Sequence, residues 1–128
     1  MRNPYLRRGD ANVNRNTSQV DLEHQYQHFL QQLQQHQMLW SIAEQQSWTL
    51  CRNDQTQQAM LLWNMQADAQ RDCLLSRQGA EPKAISADLL RTQILPYLAA
   101  QNYLVAINRS AKGECVFVSP ERLIADMS

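Results

Sequence analysis

The stretch that most constrains what this chain can fold into runs from Met60 to Leu75. Met60, Leu61, Leu62 and Trp63 are apolar without alternation, the pattern of a strand covered on both faces. Asn64 breaks the run. Met65, Ala69 and Cys73 then recur at i, i+4 and i+8, the spacing of a helix that buries one side. Asn64 reads as the N-cap of that helix, its side-chain oxygen accepting from first-turn amides. Asp68 adds negative charge near the helix's positive end. A strand buried on both faces and followed by a capped helix needs other elements above and below it. The rest of the chain has to supply that covering.

Upstream, residues 18–37 carry an apolar stripe, Leu22, Tyr26, Phe29, Leu30 and Leu33, at helical spacing. Ser18 is placed to cap this helix. The opposite face is glutamine and histidine. His24 and His28 are one turn apart, but no third ligand is evident, so they read as a solvated face and not a metal site. Met38 to Ala43 reads as a strand with Met38, Trp40 and Ile42 on one face. Glu44-Gln45-Gln46 is the hairpin turn, and Ser47 to Cys51 returns with Trp48 and Leu50 pointing one way.

Beyond the central helix, Lys83 to Ile85 is a short strand and Ser86 a helix cap. Leu90, Ile94, Tyr97 and Leu98 form the buried stripe of that helix, and Pro96 predicts a kink or restart near Leu95. Tyr103 to Ile107 and Glu114 to Val118 are strands apolar on both faces, separated by a polar turn. Ser119-Pro120-Glu121 opens a terminal helix that lays Leu123 and Ile124 on the sheet. The predicted fold class is α/β in the α+β sense: a single-domain mixed β-sheet with helices packed on both faces. The expected organisation is a flexible N-terminal tail over residues 1–17 and one domain over residues 18–128.

At 128 residues with formal net charge zero, the chain has no general electrostatic case for nucleic acid or an acidic membrane. Arg2, Arg7 and Arg8 lack an apolar segment behind them, so they do not read as a secretory signal. No apolar run approaches the roughly 20 residues of a membrane span. Cys51, Cys73 and Cys115 are odd in number and embedded in apolar patterns, which fits reduced thiols in a cytoplasmic protein better than disulfides or zinc.

No catalytic constellation stands out. Gly9, Gly79 and Gly113 are isolated, so there is no phosphate-binding loop. The cysteines have no sequence-evident partner base. Asp68 and Asp72 are one turn apart, but Arg71 between them favours a solvated face. The expectation is therefore a non-enzyme with no cofactor and no metal. It would act through a protein partner or a homodimer, with Trp48 on the half-polar hairpin strand as a contact residue. The alternative is an anionic ligand, or a small enzyme, at the strand ends. There Trp63, Asn64, Asn108 and Arg109 meet helix-start amides.

Several segments also resemble a bacterial family in both sequence and order: Met38-Leu39-Trp40-Ser41-Ile42, Leu61-Leu62-Trp63-Asn64, Ile94-Leu95-Pro96-Tyr97-Leu98, Leu104-Val105-Ala106-Ile107-Asn108 and Val118-Ser119-Pro120-Glu121-Arg122-Leu123. The family is domain of unknown function 2750, and the resemblance spans roughly Leu22 to Asp126. Two departures are visible: Gln45-Gln46 where the family usually carries a Gly, and Asn64 where Ser is common. A looser likeness, of pattern only, is to the N-terminal domain of the SseB proteins. The resemblance implies a small bacterial α/β domain with no established activity, and it supplies no catalytic residue.

Overall fold

Residues 19–76 and 79–127 are described in a computed structural model. Among these residues seven strands and four helical segments follow one another. The first helix, α1, is Gln19–His36, and Ser18 and the tail before it lie outside the described residues. Strand β1 (Met38–Glu44) turns through Gln45 and Gln46 into β2 (Ser47–Trp48) and β3 (Leu50–Arg52). Strand β4 (Gln58–Leu62) leads to α2 (Gln66–Ser76), and β5 (Glu81–Ser86) runs directly into a third helix over residues 87–100. Strands β6 (Leu104–Ile107) and β7 (Val116–Val118) precede a terminal helix, Pro120–Met127.

The strands form an antiparallel sheet, β2-β1-β5, and a mixed sheet, β3-β4-β6-β7, in which β4 and β6 are parallel. The single sheet expected from sequence is thus two sheets, joined where Trp40 and Trp63 exchange backbone hydrogen bonds of 2.8 Å each way. The returning hairpin strand breaks at Thr49: β2 pairs with β1, and β3 pairs with β4. One continuous stretch of chain therefore belongs to both sheets. The runs ending at Leu62, Ile107 and Val118 do lie side by side, with β7 at the edge.

Alternation along β4 divides the core. Met60 and Leu62 face a cluster built with α1, the third helix and the terminal helix. Leu61 and Trp63 face a second cluster with Ala69 and Cys73 of α2. Helices thus cover both faces, and the stripe Tyr26, Phe29, Leu30 and Leu33 is buried as expected. Ser86 caps the third helix by accepting from the Leu89 amide at 3.0 Å. Ser119 accepts from the Arg122 amide at 3.2 Å. The Gln45-Gln46 turn holds both residues at positive φ, 53° and 72°, the left-handed geometry that a two-residue hairpin loop demands.

Several expectations need correction. Asn64 does not cap α2, because its side-chain oxygen is taken by Asn108. Met65 is exposed rather than part of the buried stripe, and Met38, the first residue of β1, is exposed while Leu39 and Ile42 are buried on the strand's two faces. Phe117 is exposed, as β7 is an edge strand. Strand β5 is six residues long, against three predicted, and pairs with β1 along its whole length. Pro82 is tolerated there because β5 too is an edge.

Tyr97 departs most from expectation: it is exposed, and Leu95 is buried in its place. The cause is a π-helical segment, Leu90–Ile94, closed by the Leu95 amide donating to the Leu90 carbonyl. A proline ring clashes with the carbonyl four residues back in a regular helix. The wider π turn relieves that clash at Pro96, and its extra residue rotates everything downstream. Leu90, Ile94, Leu95 and Leu98 become the buried set, and Tyr97 turns outward.

Candidate functional site

Four of the five residues singled out from sequence converge at the ends of β4 and β6. Asn108, held at φ 53°, turns the chain after β6. Its side-chain oxygen accepts from the Asn64 amide at 3.0 Å, and its side-chain nitrogen donates to the Asn64 oxygen at 2.9 Å. The Asn64 side-chain nitrogen donates to the Phe29 carbonyl at 3.3 Å, tying α1 to the cluster. The Trp63 indole N–H donates to the Arg109 carbonyl at 2.9 Å, and Arg71 donates to the same carbonyl at 3.1 Å.

The Arg109 guanidinium grips Asp72 with two parallel bonds, Nε to Oδ1 at 3.0 Å and Nη2 to Oδ2 at 2.9 Å. Their side chains are 16% and 8% exposed. Arg71 pairs in turn with Asp68 at 2.9 Å. Two arginines and two aspartates sum to zero charge, and the polar groups bind one another. Such a knot is suited to locking strand ends against α2. The Nε–Nη2 edge of Arg109, the edge that would fork onto an anion, is already taken by Asp72. The helix-start amide at Arg122 is likewise bonded to the Ser119 hydroxyl.

Trp48, the fifth predicted residue, stands apart from this knot. It is 37% exposed and borders a groove of about 460 Å³. Leu50, Met60, Ile94, Leu98 and Tyr103 line the groove, Tyr97 rises on the helix side at 56% exposure, and Gln46, Ser47 and Gln93 complete the lining. Apart from the two tyrosines, no lining side chain is ionisable. Sequence reasoning missed Tyr97 and Asp72. For Tyr97 the available signal was Pro96, which marked a break in the helix but not the sense of the rotation. Nothing in the spacing pairs Asp72 with Arg109, 37 residues away.

The remaining chemistry is sparse. Among the described residues no group of three or more His, Cys, Asp and Glu could hold a metal, and His24 and His28 are both exposed. Burial pushes the Cys115 thiol above its ordinary pKa, which leaves it a poor nucleophile near neutrality. The terminal helix is clamped to α1: Tyr26 donates to Asp126 at 2.6 Å, and Arg122 pairs with Glu23 at 2.7 Å while lying 4.3 Å from the centroid of the Tyr26 ring. No helix among the described residues is long and apolar enough to cross a membrane.

No curated protein and no solved structure matches the chain, so the looser likeness to the SseB N-terminal domain gains no support. The family described as "Protein of unknown function (DUF2750)" matches residues 26–127, closely the span of the resemblance read from the residues. With that match covering most of its 128 residues, the chain belongs to the DUF2750 family.

Proposed function

We propose that this chain is a non-enzymatic interaction module that receives an uncharged, apolar segment of a protein partner in the groove between Trp48 and Tyr97. One observation carries the reading. The π segment turns Tyr97 out of the core to face solvent beside a half-exposed tryptophan. π-bulges recur at functional sites, and rigid aromatics around an apolar pocket are the usual energetic centres of protein interfaces. A leucine-sized side chain buried there would contribute roughly 1.5–3 kcal/mol. The rim glutamines and Ser47 supply neutral hydrogen-bonding groups for the partner's backbone. None of the three cysteines is in a disulfide, which supports a reducing compartment such as the bacterial cytoplasm as its place of action.

The test is a displayed random-peptide library panned on the protein. Enrichment of uncharged sequences carrying leucine or aromatic residues is expected, with Trp48→Ala and Tyr97→Ala each weakening the selected peptides about tenfold or more. Peptides that bind both variants as well as the parent, or no enrichment at all, would overturn the reading.

A further inference from the structure

We infer that the open edge of β7 binds an extended segment of chain, and that its occupant is residues 11–17 of the same molecule, added to the mixed sheet as a further strand parallel to β7. The inference is independent of the groove between Trp48 and Tyr97. Among the described residues β7 pairs with β6 alone. One row of its backbone amides and carbonyls is therefore turned away from the sheet, a template for another strand. A second groove, of about 490 Å³, follows that edge. All six residues from Gly113 to Val118 line it. Side chains alternate between the two faces of a strand, so a groove that touches every one of these residues runs along the edge and not over one face.

The way the chain enters α1 selects the occupant. Leu22 and Glu23, near the start of α1, line the same groove. Glu23 is bound at 2.7 Å to Arg122, which lies in the first turn of the terminal helix, just beyond Val118. The chain thus reaches α1 beside the Val118 end of β7, and the residues ahead of α1 have the edge to follow back toward Gly113. That direction makes the pairing parallel. Seven extended residues at about 3.3 Å each span about 23 Å, enough to follow Gly113 to Val118 from end to end.

Sequence and charge agree with an added strand. Asn12, Asn14 and Asn16 alternate with Ala11, Val13, Arg15 and Thr17, the period-two pattern of a strand with one wet face. Ala11 and Val13 have apolar surface to cover in Phe117, which is 36% exposed on the edge itself. With Arg122 bound to Glu23, the other charged side chains of the groove are Arg52, Asp54 and Glu114. They leave an excess of one negative charge, which Arg15 matches.

Backbone hydrogen exchange of the full chain, followed by NMR at two protein concentrations, tests this. Residues 11–17 are expected to exchange about tenfold or more slowly than an unstructured peptide. Two variants interrupt the added strand: Val13→Pro with Arg15→Pro removes two of its amides, and Asn12→Pro with Asn14→Pro removes the alternate two. At least one of them should make residues 113–118 exchange about tenfold faster, while the amides of β4 keep the parent's rates. Residues 11–17 that exchange freely in the parent would overturn the inference. So would slow exchange at residues 11–17 with rates at 113–118 that neither variant changes, the result expected if α1 only extends further toward the N-terminus. Protection at 113–118 that rises with concentration while residues 11–17 exchange freely would give the edge to a second copy, and would equally overturn the assignment.

Discussion

Removing one partner of the Arg109–Asp72 pair should expose what the strand-end knot does. Both contacts of the pair are about 3 Å, and the two side chains are 16% and 8% exposed. Breaking a well-buried pair costs about 3–5 kcal/mol, because the surviving charge is left without compensation. Arg109 retains some water, so Arg109→Met is expected near the lower end, about 3 kcal/mol. For a chain of this size that is a fall of roughly 10 °C in Tm. The side-chain bonds from Trp63 and Arg71 to the Arg109 backbone carbonyl survive the substitution, so the loss reports the Arg109 side chain alone. The double variant Arg109→Met with Asp72→Leu replaces the pair by apolar groups and should recover to within about 1 kcal/mol of the parent. Urea unfolding of parent, both single variants and the double variant measures this as a cycle. A cost under about 1 kcal/mol for Arg109→Met, or a double variant that loses the sum of the singles, would refute the structural reading and free Arg109 for another role.

Ser86→Ala removes the side-chain cap of the third helix and should cost about 1 kcal/mol in urea unfolding. Replacing Gln45-Gln46 by Asn-Gly suits the two positive φ angles and should stabilise by about 1 kcal/mol, read as a raised Tm. Arg122 and Gln27 hold the Glu23 carboxyl below its ordinary pKa. A depressed folded-state pKa gives stability that is present above the unfolded value and lost as pH falls through the folded one. Glu23→Gln should therefore flatten the acid limb of a stability–pH curve. Burial, and after it the hydrogen bond to Asp126, raise the Tyr26 phenol above its ordinary pKa of 10.0. Its contribution is complete below that pH and lost as pH rises further, so a native ultraviolet titration should show one late tyrosine step that Tyr26→Phe removes.

Much of the fold was legible because the chain obeys local rules. The α1 stripe, the Ser86 and Ser119 caps and the doubly buried β4 and β6 all follow from spacing and side-chain chemistry alone. The misreadings come from long-range or backbone effects. Asn64 is a plausible cap until Asn108, 44 residues on, competes for its oxygen. Tyr97 belongs to the buried stripe at a period of 3.6, and one added residue in a π turn moves it out. The length of β5 is set by its partner β1, not by its own weakly apolar sequence. The same holds for the candidate sites. Trp48 was identifiable as a half-exposed aromatic, whereas the groove that gives it meaning needed the helix to rotate.

The strand segment shared between the two sheets has a consequence for how the molecule opens. With β2 paired to β1, β3 paired to β4, and Trp40 stitched to Trp63, neither sheet can peel away while the other stays intact. Amide protons at Trp40 and Trp63 should therefore exchange with solvent only through global unfolding, at a common free energy, while those at the β7 edge exchange through cheaper local openings. The tryptophan pair would serve as the rivet by which two unlike halves melt as one.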